Sequence, residues 1–392
     1  MRVVIDGRSI RPGKTGIGVY AENILRELCH LGQGDEFILL VGHLPEKLES
    51  NNLKIVRLDV LNRRFIQRLW ENAVLPSFLS HVGADVYFSP SYILPLRKPK
   101  TVRISKPFGR KFHGNVKFVA TVHDLASFLH PETTTPLMRL RLRLFLPPSL
   151  RAADLIITDS IASRSDIVRT FQVPEDKIRV IPLGKSERFV KIRDRSGMNA
   201  VRRRYELPES FILNLGTIEP RKNLEVLFRA YSLLPSAIRR TVKLVVAGGF
   251  GWGFEKATSS VRELGIEPDV HFIGFVPDDH LPVLYSMATV FVYPSVYEGF
   301  GLPLLEAMAC GVPVVASNTS SLPEVVGNAG ILVDPGAPNE LAKVLERLLR
   351  DPSRRKRLAR KGLDRAKKFS WKSTAEKVLD VLRETHSEGT GG

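Results

Sequence analysis

Short β-branched runs alternate with helical patterns along the whole chain, and the alternation is broken once, by a charged passage from Lys185 to Ser210. Before the break RVVID, EFILLVG, KIVRLDV, ADVYFSP, KFVATVHD, LIITDS and IRVIPLG read as strands; after it FILNLG, VKLVVAGG, VHFIGF, VFVYPS, VPVVAS and ILVDP do. Between them, stretches such as GIGVYAENILRELCHL and NLEVLFRAYSLL repeat apolar residues at helical spacing. Strand–helix–strand units close with parallel strands, so two such series predict two doubly wound α/β domains facing a common cleft. A single barrel of eight βα units is the competing architecture, and the charged, loop-like break at its midpoint counts against it. The expected domains are 1–195 and 196–369, followed by a helix in 370–392 that crosses back to the first domain and frays into GTGG.

Composition supports two ordinary cores. The 392 residues are 43% hydrophobic and 25% charged, which excludes a disordered or collagen-like chain. With only Cys29 and Cys310, neither a disulfide framework nor a cysteine zinc site can form, and a reducing, cytoplasmic setting is expected. No secretory leader and no apolar run long enough to span a bilayer is evident.

The charge is +17, from 58 basic and 41 acidic residues, and the excess sits mainly in the first half. Between Asp85 and Asp124 no acid occurs, while Arg97, Lys98, Lys100, Arg103, Lys106, Arg110, Lys111 and Lys117 do; from Pro136 to Arg151 Arg is interleaved with Leu and Phe. Such surfaces attract polyanions: nucleic acid, anionic lipid or phosphorylated substrates. No nucleic-acid-binding motif accompanies the charge, so that partner is not expected.

Four strings carry chemistry. From Val290 to Asn318 a buried strand ends at Ser295, a glycine-rich turn holds Glu298, and a helix opening near Gly301 carries Glu306. A helix N-terminus seats a phosphate, and carboxylates beside it accept hydrogen bonds from sugar or ribose hydroxyls. Arg221 and Lys222 follow FILNLG, at the strand edge where open α/β sheets bind ligands, and two cations there can neutralise a diphosphate without a metal. RPGKTGIGVY places Gly13, Gly16 and Gly18 between a strand and a helix, spaced G-x-x-G-x-G rather than as the G-x-G-x-x-G of dinucleotide sites. His123 and Asp124 end KFVATVHD, with Asp124 expected to hold the loop or to orient the histidine. Glu324 reads equally as a donor-site residue or a helix-start acid, and Trp252 in GGFGWG as core or cleft lining. No H-E-x-x-H or D-x-D constellation seats a metal.

Together EGFGLPLLE (E-x7-E), the opening glycine loop, VHDL at Val122–Leu125, VIPLG at Val180–Gly184, LGTIEPRKNL and SSLPEVVGNAGILVDP resemble the large retaining glycosyltransferase family of GT-B fold, numbered family 4 or group 1. The wording of PRKN, EGFGLPLLEAMACGVPV and RLWENAVLP is similar to bacterial mannosyltransferases of polysaccharide assembly. The resemblance implies two Rossmann-like domains and transfer of a hexose from a nucleotide sugar with retention, without cofactor or metal. Mannose from GDP-mannose is the expected donor, a UDP- or dTDP-sugar the alternative, and a glycan or lipid-diphosphate-linked saccharide the acceptor. It puts Lys222, with Arg221, on the donor diphosphate, Glu298 on the donor sugar, His123 facing that sugar, and Glu306 on the ribose. Gly16, Gly18, Thr217, Gly299, Phe300, Gly301 and Leu302 would line the donor. Many relatives carry Arg directly after the glycine, where this chain has Thr217 and its Arg comes later. The basic first domain suggests peripheral attachment to an anionic inner membrane face. A nucleotide-sugar epimerase would share the architecture but isomerise its donor without an acceptor, and the E-x7-E context counts against it.

Overall fold

The computed structural model describes residues 1–10, 16–43, 48–58, 70–99, 116–251 and 253–387. Gly13, Lys100, Arg103, Lys106, Arg110, Lys111, Trp252, half of VGHLPEKL, the start of RLWENAVLP and the GTGG tail lie outside them. The chain divides into two units: Met1–Phe128, Thr135–Gly184 and Trp371–Gly392 form one, Leu129–Thr134 and Lys185–Ser370 the other.

The first unit is built on strands β1 (Arg2–Asp6), β2 (Glu36–Val41), β3 (Leu53–Arg57), β4 (Val86–Ser89), β5 (Lys117–Thr121), β6 (Leu155–Thr158) and β7 (Ile178–Val180). They form one sheet in the order β3-β2-β1-β4-β5-β6-β7, every neighbouring pair parallel. Strands covered on both faces read as unbroken apolar runs, and β1, β4 and β6 are buried at every residue. The chain lays β1 to β3 outward, then returns to the other side of β1 with β4, so the order reverses between β1 and β4. The helix Gly16–Leu31 packs on the last helix, Trp371–Ser387. That last helix is tied to the unit by Thr374 Oγ1 donating to the Pro182 carbonyl at 2.9 Å, Arg383 to Asp35 at 2.9 Å, and an Arg179–Glu384 ion pair.

The second unit repeats the plan with β8 (Phe211–Leu215), β9 (Lys243–Ala247), β10 (Val270–Gly274), β11 (Val290–Tyr293), β12 (Val314–Ser317) and β13 (Ile331–Val333). The order is β10-β9-β8-β11-β12-β13, again parallel throughout, and it reverses between β8 and β11. Its core gathers Ile212, Leu244, Val290 and Val315 from the strands with Phe228 and Leu345 from the helices. Two open sheets, rather than a closed barrel, thus account for the interrupted alternation.

Two details differ from the sequence reading. The passage Lys185–Ser210 is not all loop: Arg195–Arg204 is a helix, capped by Asp194, whose carboxylate accepts from the backbone N–H of Ser196 and Gly197 at 3.1 and 2.8 Å. Val201 is its only buried residue and Arg202–Arg204 fill its last turn, so charge hides the apolar periodicity. The break between units comes at Gly184 rather than after 195. Phe189 already packs edge-on against Tyr285, ring centres 6.1 Å apart, and Ser286 Oγ accepts from the Ile192 N–H at 2.9 Å. Among the described residues no helix is long and apolar enough to cross a membrane.

Candidate functional site

In an open parallel sheet the carboxyl ends of the two strands flanking a reversal leave room for a ligand. In the second unit these are β8 and β11, joined edge to edge also by Asn214, whose side-chain amide donates to the Val292 carbonyl at 2.9 Å. β8 leads into Gly216 and a single tight turn, Pro220–Lys222; β11 leads into Ser295 and Glu298. The two loops meet. Lys222 Nζ donates to Glu298 Oε1 and to the Tyr293 hydroxyl, each at 2.7 Å. Arg221 Nη1 donates to Glu298 Oε2 at 2.6 Å and to the Tyr297 carbonyl at 2.9 Å, while its Nε and Nη2 go to Glu219 Oε1 at 3.1 and 2.6 Å. Lys222 and Glu298 are 8% and 7% exposed.

Burial alone would push the Glu298 carboxyl up, but Lys222 and Arg221 outweigh it and hold it at about 2. Burial pulls the Lys222 ammonium below its usual range against the opposing pull of Glu298. Two ammonium protons are taken, and the third has no partner among the described residues. Four of the five N–H donors of Arg221 go to Glu219, Glu298 and the Tyr297 carbonyl, so Arg221 braces the two carboxylates, while Lys222 keeps an ammonium proton for a ligand. Gly216 makes room for it: φ is +152°, and a Cβ there would sit 3.2 Å from Lys222 Cε. Thr217 is exposed beside this turn.

The other carboxylate of E-x7-E has separate partners. Glu306, on the helix Leu302–Ala309, accepts from the Tyr285 hydroxyl at 3.0 Å, and burial pushes its carboxyl up to about 7. The turn between the two is tightly held: Gly301 has φ +104°, Ser320 Oγ accepts from the Glu298 N–H at 3.0 Å, and Ser321 Oγ donates to the Glu298 and Phe300 carbonyls at 2.9 Å. The Phe300 ring turns inward against Phe369, centres 5.9 Å apart, so Phe300, like Gly299 and Gly301, can offer a donor only backbone, while Leu302 is half-buried at the helix start. Glu324 lies in the first turn of the short helix Leu322–Val326.

In the first unit the register of β5 with β6 aligns Thr121 with Ile157, so the residues two beyond each, His123 and Asp159, stand level. His123 Nδ1 bonds Asp159 Oδ2 at 2.8 Å, and Nε2 bonds the carbonyl of Pro90, just after β4, at 3.1 Å. The Pro90 carbonyl can only accept, so Nε2 carries a proton, while Nδ1 shares one with the Asp159 carboxyl, which burial holds above the usual carboxylate range. Burial works against a charged imidazole, but Asp159 and the Pro90 carbonyl hold His123 above the usual histidine range. Asp124 instead accepts from the Ala126 N–H at 2.9 Å, so it holds the loop, and Asp159 orients the ring. Tyr20 stacks edge-on to the imidazole at 4.8 Å. Gly16 and Gly18 lie in the first turn of the helix Gly16–Leu31 rather than in a loop before it, and a Cβ at Gly16 would meet open space.

Sequence reasoning missed Asp159, Tyr293 and Tyr285. Each sits at a strand end or on a helix where only the sheet order decides its neighbour.

Comparison with known proteins places this geometry. A glycosyl transferases group 1 family model matches residues 200–365, and a glycosyltransferase family 4 model matches residues 14–185. O-antigen chain mannosyltransferase B of Escherichia coli is 34% identical, over 98% of this chain and 100% of that protein. The serotype-specific mannosyltransferase WbdA of Escherichia coli is 34% identical over 67% of this chain but only 33% of its own length. Among solved structures, sucrose-phosphate synthase from Thermosynechococcus elongatus superposes with a TM-score of 0.76 at 23% identity, over 99% of this chain and 100% of that one. At that identity the likeness speaks for the fold, two Rossmann-like domains of the GT-B type. With family models matching each half and a relative aligned along its full length, the chain belongs to the group 1, family 4 glycosyltransferases.

Proposed function

We propose that the chain transfers mannose from GDP-mannose, with retention and without a metal, to a glycan or lipid-linked saccharide in cell-surface polysaccharide assembly. Mannose is favoured because the E. coli relatives are named as mannosyltransferases. The observation that carries the reading is Lys222, buried at the β8–β11 reversal, pinned by Glu298 and Tyr293, with an ammonium proton to spare. A diphosphate seated there gains a preorganised positive charge as it departs. Each carboxylate oxygen of Glu298 keeps a lone pair beyond its bond to a cation, enough to accept from a hydroxyl of the donor sugar. Ionised Glu306 would accept from the ribose hydroxyls.

A double displacement would need a carboxylate nucleophile beneath the sugar, and no residue is assigned to that task. Both ring nitrogens of His123 are already engaged, Nδ1 by Asp159 and Nε2 by the Pro90 carbonyl, so the imidazole is not placed to take a proton from an acceptor. The departing diphosphate therefore takes the acceptor hydroxyl's proton on the face it leaves. Incubation with GDP-α-mannose and an oligosaccharide acceptor, followed by proton NMR of the anomeric signal, tests this. An α-linked product with GDP released, unaffected by EDTA, is expected. A β-linked product, consumption of UDP-sugars alone, or donor isomerisation without acceptor would overturn it.

A further inference from the structure

The segment Leu129–Thr134 comes from the first half of the chain yet packs as part of the second unit; the stretches on either side of it, ending at Phe128 and resuming at Thr135, belong to the first. Within the second unit it meets both loops that build the candidate site. The His130 ring lies against the Tyr297 ring, centres 5.1 Å apart and planes tilted by 43°. The single turn Pro131–Thr133 lies against the turn Pro220–Lys222. The segment keeps its own shape, with the Thr134 N–H donating to the Pro131 carbonyl at 3.4 Å and His130 Nδ1 bonded to Glu132 Oε1 at 3.3 Å. On the other side of the contact, Tyr297 is 6% exposed and sits inside the bonding of the site. Its carbonyl accepts from Arg221 Nη1 at 2.9 Å, and the N–H of Val296 just before it donates to the Arg221 carbonyl at 3.0 Å. The residue just after it is Glu298, bonded to both Arg221 and Lys222.

We infer that Leu129–Thr134 is a strap that holds the two site loops in register, and that His130 is a positioning residue acting on Glu298 through Tyr297. Lys222 and Glu298 come from loops that follow different strands, β8 and β11, so nothing in the local sequence of either fixes their separation. Charge attraction draws the two side chains together but leaves their loops free to slide; a packed ring fixes where the Tyr297 backbone, and with it the start of the Glu298 side chain, must lie. One segment touching both loops sets one against the other, which a contact made for stability alone would not require. The strap also keeps water off Tyr297, and a drier surround strengthens the bonds among Glu298, Arg221 and Lys222. The packing stands on its own geometry. Its bearing on catalysis rests on the transferase reading above.

His130→Ala and His130→Phe test it, by steady-state transfer kinetics and by hydrogen exchange of backbone amides. The His130 side chain is 30% exposed, so trimming it opens no closed cavity. The alanine variant should lower kcat by about 10- to 100-fold, the scale of misplacing a reacting group by about 1 Å, while the donor KM changes by less than about threefold. A role in stability alone would lower the melting temperature and leave kcat of the folded enzyme as it was. His130→Phe keeps a flat ring against Tyr297 and should bring kcat to within about threefold of wild type. In the alanine variant the amides from Val296 to Phe300 should exchange at least about tenfold faster, with those of the strands unchanged. Should that variant misfold, His130→Leu, with bulk but no flat ring, takes its place with the same expectations. An unaltered kcat, a phenylalanine variant as slow as the alanine one, or exchange quickened only within Leu129–Thr134 overturns the proposal. Exchange also separates the two readings: faster exchange at Val296–Phe300 in a protein that consumes no nucleotide sugar would sink the transferase reading and leave the strap standing.

Discussion

Glu298→Gln tests the idea that one buried carboxylate keeps the cations at the β8–β11 reversal in place. The substitution preserves shape but removes the charge that both Lys222 and Arg221 bond, at 2.7 and 2.6 Å. Moving the carboxyl from 4.5 to about 2 in the folded chain corresponds to about 3 kcal/mol of stability. Because the folded value is the lower one, this contribution is fully present above pH 4.5 and is lost as pH falls through about 2. The variant also leaves the Lys222 ammonium buried without its main counter-charge, and breaking a buried pair costs about 3 to 5 kcal/mol. The expected loss at neutral pH is thus about 3 to 5 kcal/mol, a fall of roughly 10 °C in melting temperature for a unit of this size. The deficit should depend on pH. Burial already lowers Lys222 from 10.5, and without Glu298 it drops further, so folded variant protein sheds this proton as pH rises. The gap to wild type should narrow on approach to pH 10.5. Urea unfolding across that range is the assay, and a deficit below about 1 kcal/mol, typical of an exposed pair, or one that does not change with pH, would refute the reasoning.

Lys222→Ala should cut the rate of mannose transfer by about 100- to 1,000-fold, the scale of losing one preorganised electrostatic donor, as read by initial rates of GDP release. Gly216→Ala forces a side chain into φ +152° with its Cβ 3.2 Å from Lys222 Cε; about 1 to 3 kcal/mol of destabilisation and weaker GDP binding are expected, by melting and titration. Asp159→Asn removes the charge that keeps His123 protonated, so the imidazole should titrate lower by NMR and the rate should fall as pH rises through that new value; an unmoved imidazole would contradict it. Burial holds the Glu306 carboxyl at about 7, so GDP affinity should rise with pH through neutrality and then level off, and Glu306→Gln should abolish the slope. For stability the sign is opposite: the raised carboxyl favours the fold at low pH, and that contribution is lost between pH 4.5 and about 7.

The strands were legible because parallel strands buried on both faces leave unbroken β-branched runs, as VFVYPS does for β11. The helix Arg195–Arg204 was not, because one buried Val201 among arginines carries no periodicity. The candidate site divides the same way. Residue type and spacing pick out Lys222, Glu298 and Glu306, since cations and carboxylates beside strand ends and glycines are seldom there for packing, whereas His123 is singled out only by the family resemblance. Which of them meet depends on strand order, a long-range property. Glu298 reaches Lys222 because β11 returns to the side of β8, and His123 takes Asp159 over its neighbour Asp124 because β6 lies beside β5 in matching register. The Pro90 carbonyl that completes the histidine's bonding is a backbone group and leaves no signature in residue identity.

Calorimetric titration of GDP against the wild type and Lys222→Ala, with UDP as the comparison and EDTA present throughout, tests the central claim most directly. The account predicts binding of GDP in preference to UDP without a metal, and a loss of at least about tenfold in affinity when the diphosphate loses its buried cation. Equal affinity of the variant and the wild type for GDP, or a preference for UDP, would contradict it.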